Sequence, residues 1–266
     1  MQPITLNAAD VSAWVNRMWW PVLRVSGFVL TAPVASETSI PSLVKIVLTL
    51  ALTFLLAPLV QVPADLSIFS AAGLLSALRE LLIGVSIGLM VQLAFEALTF
   101  AGQSISLTMG LGFATLVDPQ HGAQTPVLGQ MFMVFGTLTY LSIDGHLMLI
   151  SALAESFKHL PIGTARVDHD LLLMLVMWGA RVFDAGLSIA LPIVVALVIV
   201  NLALGVVTRA APQLNLYGIG FTITLLSGFF VLLVGLDGIM TGISSLLNSA
   251  LRAVSQLIGT PAAGAP

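Results

Sequence analysis

The sequence predicts an all-α membrane-complex protein of about six long, partly kinked helices. Three observations carry that expectation. First, 58% of the 266 residues are hydrophobic and only 8% are charged, whereas soluble domains carry about 25% charged residues. So much apolar surface cannot be hidden in one soluble core. Second, several apolar runs reach or exceed the ~18 residues that mark a membrane span. Third, the prolines, glycines and scarce charges punctuate these runs. The net charge of -3 is too small to argue for nucleic acid or an acidic partner. Cysteine is absent, which removes disulfides, thiolate metal sites and cysteine nucleophiles.

The elements follow in order. Val11–Val34 reads as an amphipathic first helix, with Trp14, Trp19 and Trp20 suited to an interfacial belt. Its leader, MQPITLNAAD, lacks a basic region, and Arg17, Pro21 and Arg24 interrupt the apolar stretch. That makes a poor cleavable signal peptide, so the helix is expected to be retained. Ser42–Val62 is the cleanest span, bounded by Pro41 and Pro63, with Lys45 placed to snorkel. Ala71–Phe100 is expected to be broken early by Arg79-Glu80 and late by Glu96. Val127–Ser156 carries Asp144-Gly145-His146 in its middle.

Leu171–Val206 is too long for one upright span across ~30 Å of hydrocarbon. Pro192 can kink it, and Arg181 with Asp184 can lie outside the apolar zone. Leu216–Ile258 is similarly long, with Asp237-Gly238 inside it and a Gly/Ser-rich second half. The end, Gly259–Pro266, reads as a small-residue disordered tail.

Two stretches differ in texture. Between Gly102 and Gln130 lie five glycines, two prolines and several amides. Irregular backbone at membrane depth is tolerated only where protein buries it or it lines a cavity. The stretch is therefore a candidate constriction, with an ordinary extramembrane loop as the plain alternative. The second stretch is Asn201–Asn215, NLALGVVTRAAPQLN. Arg209, Pro212, Gln213 and Asn215 crowd between two apolar runs there, although a charge at membrane depth costs at least a few kcal/mol. The block marks a functional turn, a water-lined cavity or a partner contact. Arg209 alone in its turn favours the cytoplasmic side.

The charged groups admit two readings. Arg79-Glu80 and Glu96 lie about 16 residues apart, roughly 24 Å at helical rise. They suit snorkelling positions at opposite borders, or else a proton relay or inter-subunit ion pairs. Arg181 and Asp184, and likewise Glu155 and Lys158, have the spacing of helix-surface pairs. His121, His146, His159 and His169 fit no strong metal pattern. Asp144-Gly145-His146 reads as a helix end with glycine as cap, or as a polar insertion facing other subunits. No nucleophile elbow, Walker A loop or dinucleotide fingerprint is present, so no enzyme and no cofactor are expected. Gly84/Gly88, Gly179, Gly186 and Gly205 permit close helix approach, and ten methionines add adaptable apolar surface.

In this setting the block NLALGVVTRAAPQLN resembles the signature of the flagellar biosynthetic protein FliR family. Other residues resemble the family in order: Ala32-Pro33, Glu96 followed by Ala101-Gly102-Gln103, MGLGFATLVDP at Met109–Pro119, and Pro126-Val127-Leu128-Gly129. Asp144-Gly145-His146-Leu147 stands where the family usually shows Asn-Gly-His, and Ser156 and Pro161 follow. The resemblance covers the chain from about Met18 to about Ile239.

The resemblance implies a subunit of a type III secretion export gate, assembled with FliP-like and FliQ-like subunits and packed by an FlhB-like subunit. Unfolded flagellar proteins would pass through its channel. It implies a FliP-like helical part over residues 1–170, with a plug loop at 106–126, and a FliQ-like helical hairpin over 171–258. Met109, Gly110, Gly112, Phe113, Asp118 and Pro119 map to the plug. Arg209, Pro212, Gln213 and Asn215 map to the hairpin turn as a partner contact. Arg79, Glu80, Glu96, Arg181 and Asp184 would make inter-subunit or inter-helix contacts. The implied location is the bacterial inner membrane at the flagellar basal body, partly on the periplasmic side. An injectisome homologue of the related SctT family is the near alternative, and a small-solute secondary transporter the distant one.

Overall fold

The computed structural model describes residues 8–63, 66, 68, 70–112, 127–163, 169–210 and 220–259. These residues form seven α-helices and no strand. In chain order they are α1 (Ala8–Thr31), α2 (Ser42–Leu56), α3 (Ala71–Thr108), α4 (Val127–Ser142), α5 (Gly145–His159), α6 (His169–Ala210) and α7 (Phe221–Leu257). A 3-10 turn, Ala57–Leu59, follows α2. Among the described residues, four stretches are long and apolar enough to cross a membrane: Ser42–Leu59, Ala71–Thr108, Leu171–Ala210 and Phe221–Leu257, and the pair α4 and α5, bent by 65°, makes a fifth if it is one span.

Two expectations about element boundaries are corrected. Arg79-Glu80 and Glu96 do not interrupt α3, which runs unbroken to Thr108. A charge breaks a span only where lipid must solvate it, and Glu80 faces protein. The helix also continues through Gly102, so irregular backbone starts at Met109 rather than at Gly102. Gly102 serves close packing: a Cβ there would lie 2.6 Å from the Leu128 carbonyl oxygen and 2.7 Å from the Gly129 Cα.

The second correction divides Val127–Ser156 into α4 and α5. Between them Asp144 takes a left-handed backbone, with φ of 55°. Gly145, expected from its type as the cap, instead begins α5. Asp and Asn are the residues other than glycine that visit this region routinely, because a short polar side chain can bond locally.

The chain divides into two compact units. The first contains residues 1–92, 144–179 and 249–266. Here α1 packs on α2, and α1 crosses α3 closely. Gly27 faces the Leu81 carbonyl, Gly84 the backbone of Arg24 and Phe28, and Gly88 the backbone of Thr31 and Ala32. Contacts advance along both helices together, so the two run parallel. Thr31 Oγ1 donates to the Val85 carbonyl at 3.1 Å across the crossing. Trp178 of α6 buries its indole and donates Nε1–H to the Met90 carbonyl of α3 at 2.8 Å. Lys45 of α2 donates to the Ser36 carbonyl at 2.9 Å.

The second unit contains residues 93–143 and 180–248. There α3 and α4 run antiparallel, joined by an edge-to-face pair of Phe95 and Tyr140 with centroids 5.7 Å apart. Gly186 of α6 packs against Ala97 of α3. Along α6 and α7, Ile189 lies against Gly242, Ile193 against Gly235, and Asn201 bonds Thr224. The numbers rise on one helix as they fall on the other, so these two helices are antiparallel.

The crossing of α1 and α3 yields a prediction. A side chain at Gly84 would overlap the Arg24 carbonyl, so Gly84→Leu must push the two backbones apart. The expected loss is about 3 kcal/mol. Gly179→Ala, where a Cβ meets nothing within 4 Å, should leave stability unchanged or slightly raised. Thermal unfolding of both variants in detergent checks the contrast; equal midpoints would refute it.

Candidate functional site

Two clusters of polar groups stand out against the apolar background. The first is built on Arg24 of α1, whose residue is fully buried. Its Nε donates to Glu80 Oε2 of α3 at 2.7 Å. Its Nη1 donates to Ser156 Oγ at 3.1 Å, and its Nη2 to the Leu160 carbonyl at 2.8 Å. The guanidinium also lies 4.4 Å from the ring centroid of Phe157. Ser156 Oγ–H in turn donates to the Leu153 carbonyl at 2.7 Å.

This geometry suits arginine specifically. Its planar fork presents several donors at once and stacks on aromatic rings, which a lysine cannot reproduce. Leu160 is the C-cap of α5, so the cation meets the negative end of that helix as well as a carboxylate. One side chain therefore fixes α1, α3 and α5 together.

The second cluster lies in the other unit, at the end of α3. Gly110 has a φ of 83°. Its N–H donates to the Leu107 carbonyl at 3.0 Å, and Leu111 N–H donates to the Ser106 carbonyl at 3.1 Å. These two bonds are the Schellman pattern, with Gly110 in the left-handed position just past the helix. Met109 is fully buried. From α6, Asn201 Nδ2 donates to the Thr108 carbonyl at 3.3 Å, and Thr224 Oγ1 of α7 donates to Asn201 Oδ1 at 3.0 Å.

The residues singled out from sequence are distributed as follows. Glu80 is buried and finds its partner inside the chain, in Arg24. Arg79, beside it, is half-buried, and Glu96 is exposed on α3. Arg181 and Asp184 are exposed on α6, and no ion pair joins them. Arg209 is exposed in the last turn of α6, where the helix dipole favours a cation. Met109, Gly110 and Gly112 are described, whereas Phe113, Asp118, Pro119, Pro212, Gln213 and Asn215 lie outside the described residues. So does the tail beyond Gly259.

Among the described residues, no group of three His, Asp or Glu side chains could hold a metal. His146 has a buried Nδ1 that meets no hydrogen-bond partner. Sequence reasoning passed over Thr224 and Gly228, and gave no pairing role to Arg24 or Ser156. For Arg24 a signal existed: a lone cation among apolar residues needs a counter-charge, and Glu80 is one of few candidates. A lone serine or threonine in an apolar helix carries no such signal.

Comparison with known proteins adds to this geometry. The family described as bacterial export proteins, family 1, matches residues 15–250. The flagellar biosynthetic protein FliR of Pectobacterium carotovorum subsp. carotovorum is 42% identical over 229 residues, covering 86% of this chain and 87% of that protein. The protein of the same name from Escherichia coli (strain K12) is 42% identical over 217 residues, covering 81% and 82%. That from Aquifex aeolicus (strain VF5) is 34% identical over 214 residues, covering 80% and 82%.

The Schellman turn gives a second prediction. A Cβ at Gly110 would force a left-handed backbone on an ordinary residue, at about 1–2 kcal/mol. Gly110→Ala should therefore lower the unfolding midpoint, and Gly110→Asn should lower it less. Equal midpoints for all three proteins would contradict this account of the turn.

Proposed function

Because the chain belongs to the bacterial export proteins, family 1, and is 42% identical to two flagellar FliR proteins over most of its length, we propose that it is a channel-forming structural subunit of the flagellar type III export gate. It works without a reaction of its own, by shaping a path for unfolded flagellar proteins across the inner membrane. In this reading residues 1–170 form a FliP-like part and 171–258 a FliQ-like hairpin. FliP-like and FliQ-like chains complete the wall, and an FlhB-like chain packs around it, with Arg209–Asn215 as a contact.

The observation that carries the reading is the uncovered apolar length of α6. Only 17% of its most apolar window is buried within the chain, and 22% in α7, against 61% in α3. Exposed large apolar side chains recur from Leu172 to Val207, alternating with the buried Trp178, Val182, Ile193 and Leu197. At helical rise that stretch spans roughly 53 Å. Hydrocarbon is ~30 Å thick, and a tilt of 40°, the upper end of the usual range, accommodates only about 39 Å. The remainder needs protein to cover it. Gly205 of α6 and Gly238 of α7, where a Cβ would meet nothing within 4 Å, leave room for neighbouring backbones. Assembly partly above the bilayer, on the periplasmic side, accounts for both features.

Residues 106–126 carry the plug in this reading, and the described turn Met109–Gly112 lies within it. The test is made on the assembled gate. The chain should co-purify with FliP-like and FliQ-like subunits, and deleting Leu111–Gly122 should let ions leak through the complex. A monodisperse lone chain that binds an ion-coupled solute would sink the assembly reading. Unchanged permeability in a complete complex would sink the plug.

A further inference from the structure

We infer that Asn201, Thr224 and Gly228 form a seat that holds the end of α3, and that Asn201 is thereby a positioning residue for the turn Met109–Gly112. The consequence for permeability rests on the channel reading above; the seat itself does not.

The argument starts from unsatisfied carbonyls. The last turn of an α-helix leaves four without an intrahelical partner. In α3 the Schellman bonds satisfy Ser106 and Leu107. The next carbonyl, that of Thr108, receives the Asn201 amide at 3.3 Å. The Asn201 side chain is itself oriented. Thr224, a buried residue, donates its hydroxyl to Oδ1 at 3.0 Å. The oxygen being so engaged, the NH2 group faces Thr108. Asparagine is suited to the position because it carries both an acceptor and a donor on one short side chain.

The second half of the seat is steric. Met109 is fully buried, and its side chain lies on Gly228 of α7. A Cβ at Gly228 would approach Met109 Cε to 2.5 Å and Cγ to 2.6 Å. A polar bond from α6 and a side-chain recess on α7 thus hold two consecutive residues, Thr108 and Met109. Both belong to the same compact unit as the hairpin residues. The α6–α7 pair, beyond packing together, fixes where α3 stops and in which direction the chain leaves it.

The test uses the assembled complex with four variants. Asn201→Asp keeps the acceptor for Thr224 but presents only oxygen to the Thr108 carbonyl. Asn201→Ala removes both bonds. Gly228→Ala leaves Asn201 intact and displaces Met109. Deletion of Leu111–Gly122 is the control for the plug. Hydrogen exchange of the Leu107–Gly112 amides reads the seat directly. Exchange at Gly110 and Leu111 should rise about three- to tenfold in the three point variants, with complex yield retained. Unchanged exchange in Asn201→Asp and Gly228→Ala would overturn the seat.

Ion leak then reads the positioning role. Leak in the deletion but none in the point variants would overturn that role. Leak in both supports it. A tight deletion would refute the plug reading instead, while exchange still decides the seat.

Discussion

A guanidinium buried among apolar helices sets the terms for half of this molecule. Taking Arg24 and Glu80 out of water costs several kcal/mol per ion, and their mutual attraction offsets this only when the remaining donors are also satisfied. Here they are, by Ser156 and by the Leu160 carbonyl at the end of α5. The pair can exist only if α1, α3 and α5 lie where they do. The parallel crossing at Gly84 follows from the same requirement. The backbone of Arg24 passes directly over that glycine, which brings the side chain within reach of Glu80 four residues earlier on α3.

A buried pair of this kind is weak evidence for stability by itself, but a packing that separates the partners strands a buried charge. That logic also explains why the chain tolerates a break between α4 and α5. Asp144 accepts the left-handed backbone, and the far end of α5 is caught by Arg24. The helix is secured at its end rather than by continuity with its predecessor.

Much of the helical architecture was legible, because long apolar runs and proline boundaries report directly on local energetics. The all-α class, the spans and the close-approach role of Gly84 and Gly88 follow from residue type alone. What was not legible depended on distance in the chain. Glu80 reads as a border charge until Arg24, 56 residues away, is placed beside it. Gly102 reads as a loop residue because its reason, the approach of Leu128 and Gly129, lies on another helix. Asn201 reads as the start of a costly polar block. In the structure its amide, on an exposed side chain, serves the end of α3. Arg209, exposed at the end of α6, is left for water or a partner. The uncovered length of α6 supplies the reason that partners are needed at all.

The claim that Arg24 and Glu80 act as one unit is tested most directly by a double-mutant cycle, read as unfolding free energy in detergent. The variants are Arg24→Met, Glu80→Leu and the two combined. Each single replacement strands a buried charge and should cost about 3–5 kcal/mol. The double replacement should recover most of that loss, giving a coupling of at least ~2 kcal/mol. Losses that simply add would contradict the account, and would mean that the two groups contribute independently.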